Sequence, residues 1–173
     1  MNKMTKEELE KILFGEQTLV YAILDGASVP DLRMKLYKMH PPHYCLFRGE
    51  LEPDMAEVAP YVIQLIANAP FTDWVLSESF GKHWGIFAQC RHSIKEMRRH
   101  FRAIVTVYKE DGEPMIFRFY DPRVLRKFLP TCNNDELKAL FGKVETFFAE
   151  DEKEQPFSAF RLENDKLKQT DLN

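Results

Sequence analysis

Ile104-Val105-Thr106-Val107-Tyr108 and Met115-Ile116-Phe117-Arg118-Phe119-Tyr120 flank Glu110-Asp111-Gly112-Glu113, and Asp121-Pro122-Arg123-Val124-Leu125 follows at once. An Asp-Gly between two β-rich runs predicts an antiparallel hairpin. The second run predicts a strand that feeds straight into a helix. Asp121 is placed to accept from the first-turn N–H groups as N-cap. Pro122 supplies the fixed φ of the first helical position, where a missing N–H costs nothing. Arg118 and Arg123 flank Asp121 and can donate charge-assisted bonds to it or to a distant acid, Asp25. Asp25, Arg118, Tyr120, Asp121, Pro122 and Arg123 are therefore the candidate corner at one end of a sheet.

Working outward, helix and strand periods alternate along the chain. Leu19 to Leu24 is a continuous apolar run stopped by Asp25-Gly26, the pattern of a strand buried on both faces. Before it, Thr5 and Glu8 form a capping-box pattern, and Gly15 ends that helix. After it, Ser28 and Pro30 open a helix that His40-Pro41-Pro42-His43 breaks. Tyr44–Phe47, Tyr61–Ile66 and Trp84–Ala88 read as strands. A short helical turn follows Pro53, and a helix capped by Thr72 ends at Gly81. Ser93 and Glu96 repeat the capping box and open a helix through Phe101.

Beyond the corner, Pro130 closes the Asp121 helix. A helix capped by Asn134 then ends at Gly142, and Val144–Phe148 is predicted as a strand. Glu150–Glu154 reads as a solvated loop, Pro156–Leu162 as an edge strand and 163–173 as a polar, frayed tail. The expectation is an α/β fold in a single lobe, residues 1–162, with helices packed on a mixed-direction sheet that holds one antiparallel hairpin.

Composition narrows the function classes. A chain of 173 residues with 45% hydrophobic and 29% charged residues is long enough for one real core. The net charge of −3 argues against a general phosphate-backbone binder. Cys45, Cys90 and Cys132 are far apart with no CxxC, so neither a disulfide framework nor a zinc site is expected. No signal peptide and no run of ~20 apolar residues is present, which predicts a cytoplasmic protein without membrane contact.

Several residues are of the types that carry chemistry. His40, His43 and Cys45, with Cys90 and His92 further on, lack metal-ligand spacing, so no metal and no cofactor is expected. Asp25 ends an apolar strand, where α/β enzymes place catalytic carboxylates. A small metal-dependent hydrolase or phosphoryl-transfer enzyme using Asp25 and Asp121 is thus an alternative, although Ala27 stands where a second acid would be expected. No phosphate-cradling or nucleophile-elbow motif occurs, so no catalytic residue is assigned. Arg91, Lys95, Arg98, Arg99 and Arg102 put five cations on one segment opposite the apolar Ile94, Met97 and Phe101. That basic face suits an acidic protein partner; nucleic acid is less favoured because no aromatic stacking motif accompanies it. Trp74 and Trp84 are candidate partner anchors.

The order of several segments resembles the conserved domain of type VI secretion effector adaptors, the Tap or TEC chaperone family. They are YAILDGA (Tyr21–Ala27), LFRG (Leu46–Gly49), APYVIQL (Ala59–Leu65), FGKHWGIF (Phe80–Phe87), the Ser93–Arg102 helix, the Asp111-Gly112 turn and FRFYDPRVLRKFLPT (Phe117–Thr131). The resemblance spans about Leu19 to Phe148. It implies a cytoplasmic, non-enzymatic adaptor that binds a cognate toxin effector and helps load it on the VgrG spike protein. Many members carry a further C-terminal helical lobe, and this sequence is expected to stop about where that lobe would start. The resemblance then implies binding through one lobe, a partner subunit or an exposed sheet edge.

Overall fold

The computed structural model describes residues 4–151 and 157–172. The apolar run that anchors the sequence pattern becomes β1 (Leu19–Asp25), buried from Val20 onward. It pairs antiparallel with β3 (Pro60–Leu65) on one side and with β4 (Gly85–Cys90) on the other. The close pairing needs Gly85, since a Cβ there would collide with the Ile23 carbonyl. The sheet extends through β2 (His43–Cys45) beside β3, and through β7 (Thr146–Glu150), β8 (Phe157–Glu163) and β9 (Lys166–Leu172) beyond β4. Its order is β2-β3-β1-β4-β7-β8-β9.

Every neighbouring pair in this seven-stranded sheet is antiparallel, which corrects the expectation of mixed direction with one hairpin. Continuous apolar strands reflect cover on both faces, and here that cover comes from helices on both sides of an antiparallel sheet. On one face lie α1 (Lys6–Phe14), α2 (Leu32–Met39) and α4 (Pro70–Glu78), which pack Leu9, Leu13, Leu36, Phe71 and Val75 against Ala22, Leu24 and Phe87. On the other lie α5 (Ile94–Val105), α6 (Pro122–Phe128) and α7 (Asn134–Phe141), with Met97, Phe101, Leu125 and Phe141 against Ile23, Ala88 and Phe147. A short α3 (Pro53–Val58) precedes β3. Each fully buried Leu or Phe stabilises by about 1.5–3 kcal/mol, so the two apolar layers hold the sheet between them.

Local chemistry sets the helix starts. Thr5, Ser93 and Asn133 close capping boxes with Glu8, Glu96 and Glu136. The last cap falls one residue before the predicted Asn134. Thr72 does not cap α4; it is buried in the first turn, and its Oγ1 accepts from the Ile66 N–H at 3.0 Å. The Asp111-Gly112 turn joins β5 (Thr106–Tyr108) to β6 (Pro114–Ile116), a two-stranded ribbon outside the main sheet. The ribbon is shorter than predicted because Phe117–Tyr120 turns instead of extending. Phe119 N–H donates to Phe117 O and Asp121 N–H to Arg118 O. That turn buries Phe119, stacked on Phe101 at 5.5 Å, and leaves Arg118 half-exposed.

Two further corrections concern the C-terminal part. Glu150 is not solvated: it ends β7, buried, and accepts from the Gly81 and His83 N–H groups at 2.5 Å each. Residues 152–156 of the predicted loop and strand start lie outside the described residues. The predicted frayed tail is instead β9, paired with β8 in seven registers from Phe157↔Leu172 to Glu163↔Lys166. Its polar composition suits an edge strand that exposes most of its side chains. Ending the chain after Glu163 strips β8 of this partner. The expected result is a melting midpoint lowered by more than about 5 °C; an unchanged midpoint would show that β9 adds nothing to the stability of the sheet.

Candidate functional site

The end of β1 brings Asp25 to the corner that the sequence singled out. Its N–H donates to the Trp84 carbonyl at 2.9 Å, and its own carbonyl accepts from Ser28 and Val29. The next residue passes so close to the Ala59 and Glu57 carbonyls that only Gly26 fits. The Asp25 side chain is buried, and both of its oxygens are engaged. Oδ1 accepts from the Ala27 N–H at 3.0 Å, while Oδ2 accepts from Ser28 Oγ at 2.9 Å and from the Arg118 guanidinium at 2.6 Å. Arg118 reaches it across 93 residues of chain.

Asp121 makes the second half of the corner. Its Oδ1 accepts from the Arg123 N–H at 2.9 Å, the N-cap bond of α6, and from Arg123 Nε at 3.0 Å. Its Oδ2 accepts from the Arg123 guanidinium at 2.8 Å and lies 3.8 Å from the same Arg118 nitrogen that holds Asp25. Pro122 is buried at the first helical position. One half-exposed guanidinium therefore bridges two buried carboxylates.

The electrostatics follow from this geometry. Burial pushes the Asp121 carboxyl up, but the side-chain and backbone bonds from Arg123 and the charges of Arg123 and Arg118 outweigh it and hold it below the ordinary range. Burial also opposes the charge on Arg118, yet the Asp25 bond and charge prevail and raise its pKa further. Tyr120, buried beside them, has its phenol raised by burial first and by the charge of Asp25 second. The corner is a strut that ties the end of β1 to the entry of α6.

The other singled-out residues do not form one surface. Trp84 is only 6% exposed and belongs to the core, which removes it as a surface anchor; Trp74 packs half-buried against it with ring centroids 5.2 Å apart. Both lie in the layer opposite α5, so the tryptophans and the basic face point to different sides of the sheet. The basic face itself is divided. Arg102 donates twice to the Cys45 carbonyl, at 2.8 and 3.1 Å, and Arg98 stacks on Tyr44 at 4.4 Å. Arg91 lies 3.1 Å from Glu145. Lys95 and Arg99 remain exposed on the outer side of α5.

Sequence reasoning missed Ser28 as a partner of Asp25, a contact only three residues away in the turn that follows β1, and it missed Tyr44 and Cys45 as the seats of two arginines, because no local pattern announces contacts made across 50 or more residues. It also missed how exposed the β5–β6 ribbon is. Tyr108 is 70%, Ile116 49% and Met115 43% exposed. Tyr108 and Ile116 share one face of the ribbon, since Thr106 pairs with Ile116 and Tyr108 with Pro114.

Among the described residues, no group of three or more His, Cys, Asp or Glu side chains gathers as a metal would need, and no helix is long and apolar enough to cross a membrane.

Two outcomes test the strut. Arg118→Met leaves Asp25 buried with only Ala27 and Ser28 as donors, and should cost about 1–3 kcal/mol in urea unfolding at neutral pH. Equal stability would take Arg118 out of the role. Asp121 is lowered in the folded state, so the unfolded chain binds its proton first as pH falls. Its contribution is complete above the ordinary carboxylate value and is lost as pH drops through the lowered one. Asp121→Asn should therefore flatten the acid limb of the stability–pH curve, and an acid limb as steep as the original would contradict the assignment.

A family model described as "Domain of unknown function (DUF4123)" matches residues 20–139. No curated protein matches the chain, and no solved structure does.

Proposed function

The chain belongs to the DUF4123 family, and from that premise we propose that it is a non-enzymatic adaptor that binds a cognate type VI secretion effector and helps load it on the VgrG spike. The observation that carries this reading is the β5–β6 ribbon. Large apolar side chains on a two-stranded arm outside the main sheet stand exposed at Tyr108, Met115 and Ile116. Such a ribbon is marginal alone in water, and exposed apolar surface of this kind suits a protein partner. The ribbon continues directly from α5, whose outer side carries Lys95 and Arg99. An apolar arm beside a basic helix favours a client segment that is apolar with acidic flanks.

The corner supports the same reading in a second way. The oxygens of Asp25 and Asp121 already accept from Ala27, Ser28, Arg118 and Arg123. A nucleophile or a metal ligand would have to give up these donors. Their arrangement serves the framework that presents the ribbon, because Phe117, Arg118 and Asp121 link β6 to α6.

The test is affinity capture of the tagged protein from cells that express the secretion genes, with identification of what is retained. One large toxin-like protein, with or without the spike protein, is the expected outcome. Tyr108→Ser with Ile116→Ser should lower its recovery by about tenfold or more, as removal of interface anchors does, while the melting midpoint stays within a few degrees. Lys95→Glu with Arg99→Glu should weaken capture most at low salt. Failure to retain any client, together with metal-dependent hydrolysis abolished by Asp25→Asn, would replace the adaptor with the enzyme reading.

A further inference from the structure

The helices of the α1 side do not cover the whole sheet. One cross-strand row runs Ala22↔Phe87↔Phe148↔Ala159↔Thr170, from a buried centre to an exposed edge. Beyond α1 this face is open, and a hollow of about 320 Å³ sits there. Phe148, Ala159 and Thr170 lie along its sheet side, and Ile12 of α1 and Leu172 of β9 also line it. Gln89 lines it too, although that residue is only 1% exposed.

Gln89 is the informative residue. Its Nε2 donates to the Leu13 carbonyl at 2.8 Å and approaches the Ile12 carbonyl at 3.4 Å. That fixes which end of the amide is which and leaves Oε1 as an acceptor. Among the described residues nothing donates to it. Thr146, directly opposite Gln89 in the ladder, is fully buried, and its Oγ1 also has no partner among the described residues. Buried polar atoms are nearly always bonded, so an unmatched acceptor on a residue that lines an open hollow points to a group that arrives from outside.

The rim says what that group is. Its ions are already matched in sign: Arg161 meets Glu16 at 2.5 Å across the hollow, and Lys168 meets Glu163 at 3.0 Å. A charged ligand would have to break these pairs. The walls and floor are mainly apolar, with one deep acceptor. The matching occupant is neutral and apolar with a single donor. Among side chains that description fits the indole of Trp and the phenol of Tyr, which also anchor protein interfaces and need a partner for their N–H or O–H when buried.

The geometry points to this hollow as the socket for a Trp or Tyr side chain of the bound client, its donor directed to Gln89 Oε1. The proposal rests on the adaptor reading for the identity of the client, but the socket itself can be tested without one.

The first experiment titrates the full chain with free indole and with 1-methylindole, followed by NMR of the Gln89 side-chain amide and the Ala159 methyl. Indole should shift both signals with millimolar affinity. 1-Methylindole, which cannot donate, should bind at least about fivefold more weakly, the usual penalty of a buried acceptor left unmatched. No shift with indole, or equal affinity for the two probes, overturns the socket. Gln89→Met should abolish the difference between probes. Because Gln89 also holds the end of α1, Ala159→Leu provides a second variant, which fills the hollow from its floor and should remove binding of both probes. Captured client should fall about tenfold with Ala159→Leu. Undiminished capture by that variant would overturn the socket and leave the adaptor reading standing. Failure of the unaltered protein to capture any client would instead fail the adaptor reading, with the indole titration still deciding the socket.

Discussion

A carboxylate at the end of a strand buried on both faces has to be met by donors that the rest of the chain delivers, and Asp25 is that carboxylate. Two of its donors are local, Ala27 N–H and Ser28 Oγ. The third, Arg118, comes from the connection between the β5–β6 ribbon and α6. Removing a buried charge's partner costs far more than an exposed ion pair contributes. The reach of one guanidinium therefore sets where the ribbon leaves the domain and where α6 begins. Asp121 reinforces the arrangement because its carboxylate caps α6 and neighbours the same guanidinium.

This constraint explains why the chain turns at Phe117–Tyr120 instead of continuing as a strand. A continuing strand would alternate Phe117 and Phe119 against Arg118 and Tyr120. The turn instead buries both Phe119 and Tyr120 and releases Arg118 toward Asp25. It also leaves Phe117 edge-on to Phe128 at 4.7 Å, so the ribbon is rooted in the aromatic layer beneath α5 and α6. The ribbon can then stay short and exposed, because its base is fixed by packing.

What was legible in the sequence was local. Capping residues mark helix starts within a residue or two, as at Thr5, Ser93 and Asp121, because the donor and the acceptor lie three positions apart or fewer. The link from Arg118 to Asp121 or Asp25 was legible as a choice between acids, since charges on a short corner must be matched by something. Strand direction was not legible, because burial on both faces produces the same apolar run in either direction. β9 was hidden by its polarity, yet its hairpin had a signature: Asn164 and Asp165 both take positive φ, the two-residue turn that Asn and Asp favour. The division of the basic face was beyond any local pattern, since Tyr44 and Cys45 reach α5 only through the tertiary fold.

The two faces of the sheet are finished to different degrees, and that asymmetry bears on how a partner is held. On the α5 side the layer carries helices from Met97 to Phe141, and Phe147, Ala149 and Phe160 of β7 and β8 lie beneath it. On the α1 side the same two strands present Phe148, Phe157 and Ala159, but the helical cover stops near Ile12. β8 therefore has one face fully packed and the other bordered by an open hollow. The paired ions on its rim keep that opening from becoming a bare apolar patch, which would favour self-association. An apolar ribbon on a strutted base and a half-covered sheet with a deep acceptor would offer the proposed client two different contacts at separate points of one domain. A client that engages both would bind more tightly than either contact allows alone, because the second contact forms at the effective concentration set by the first.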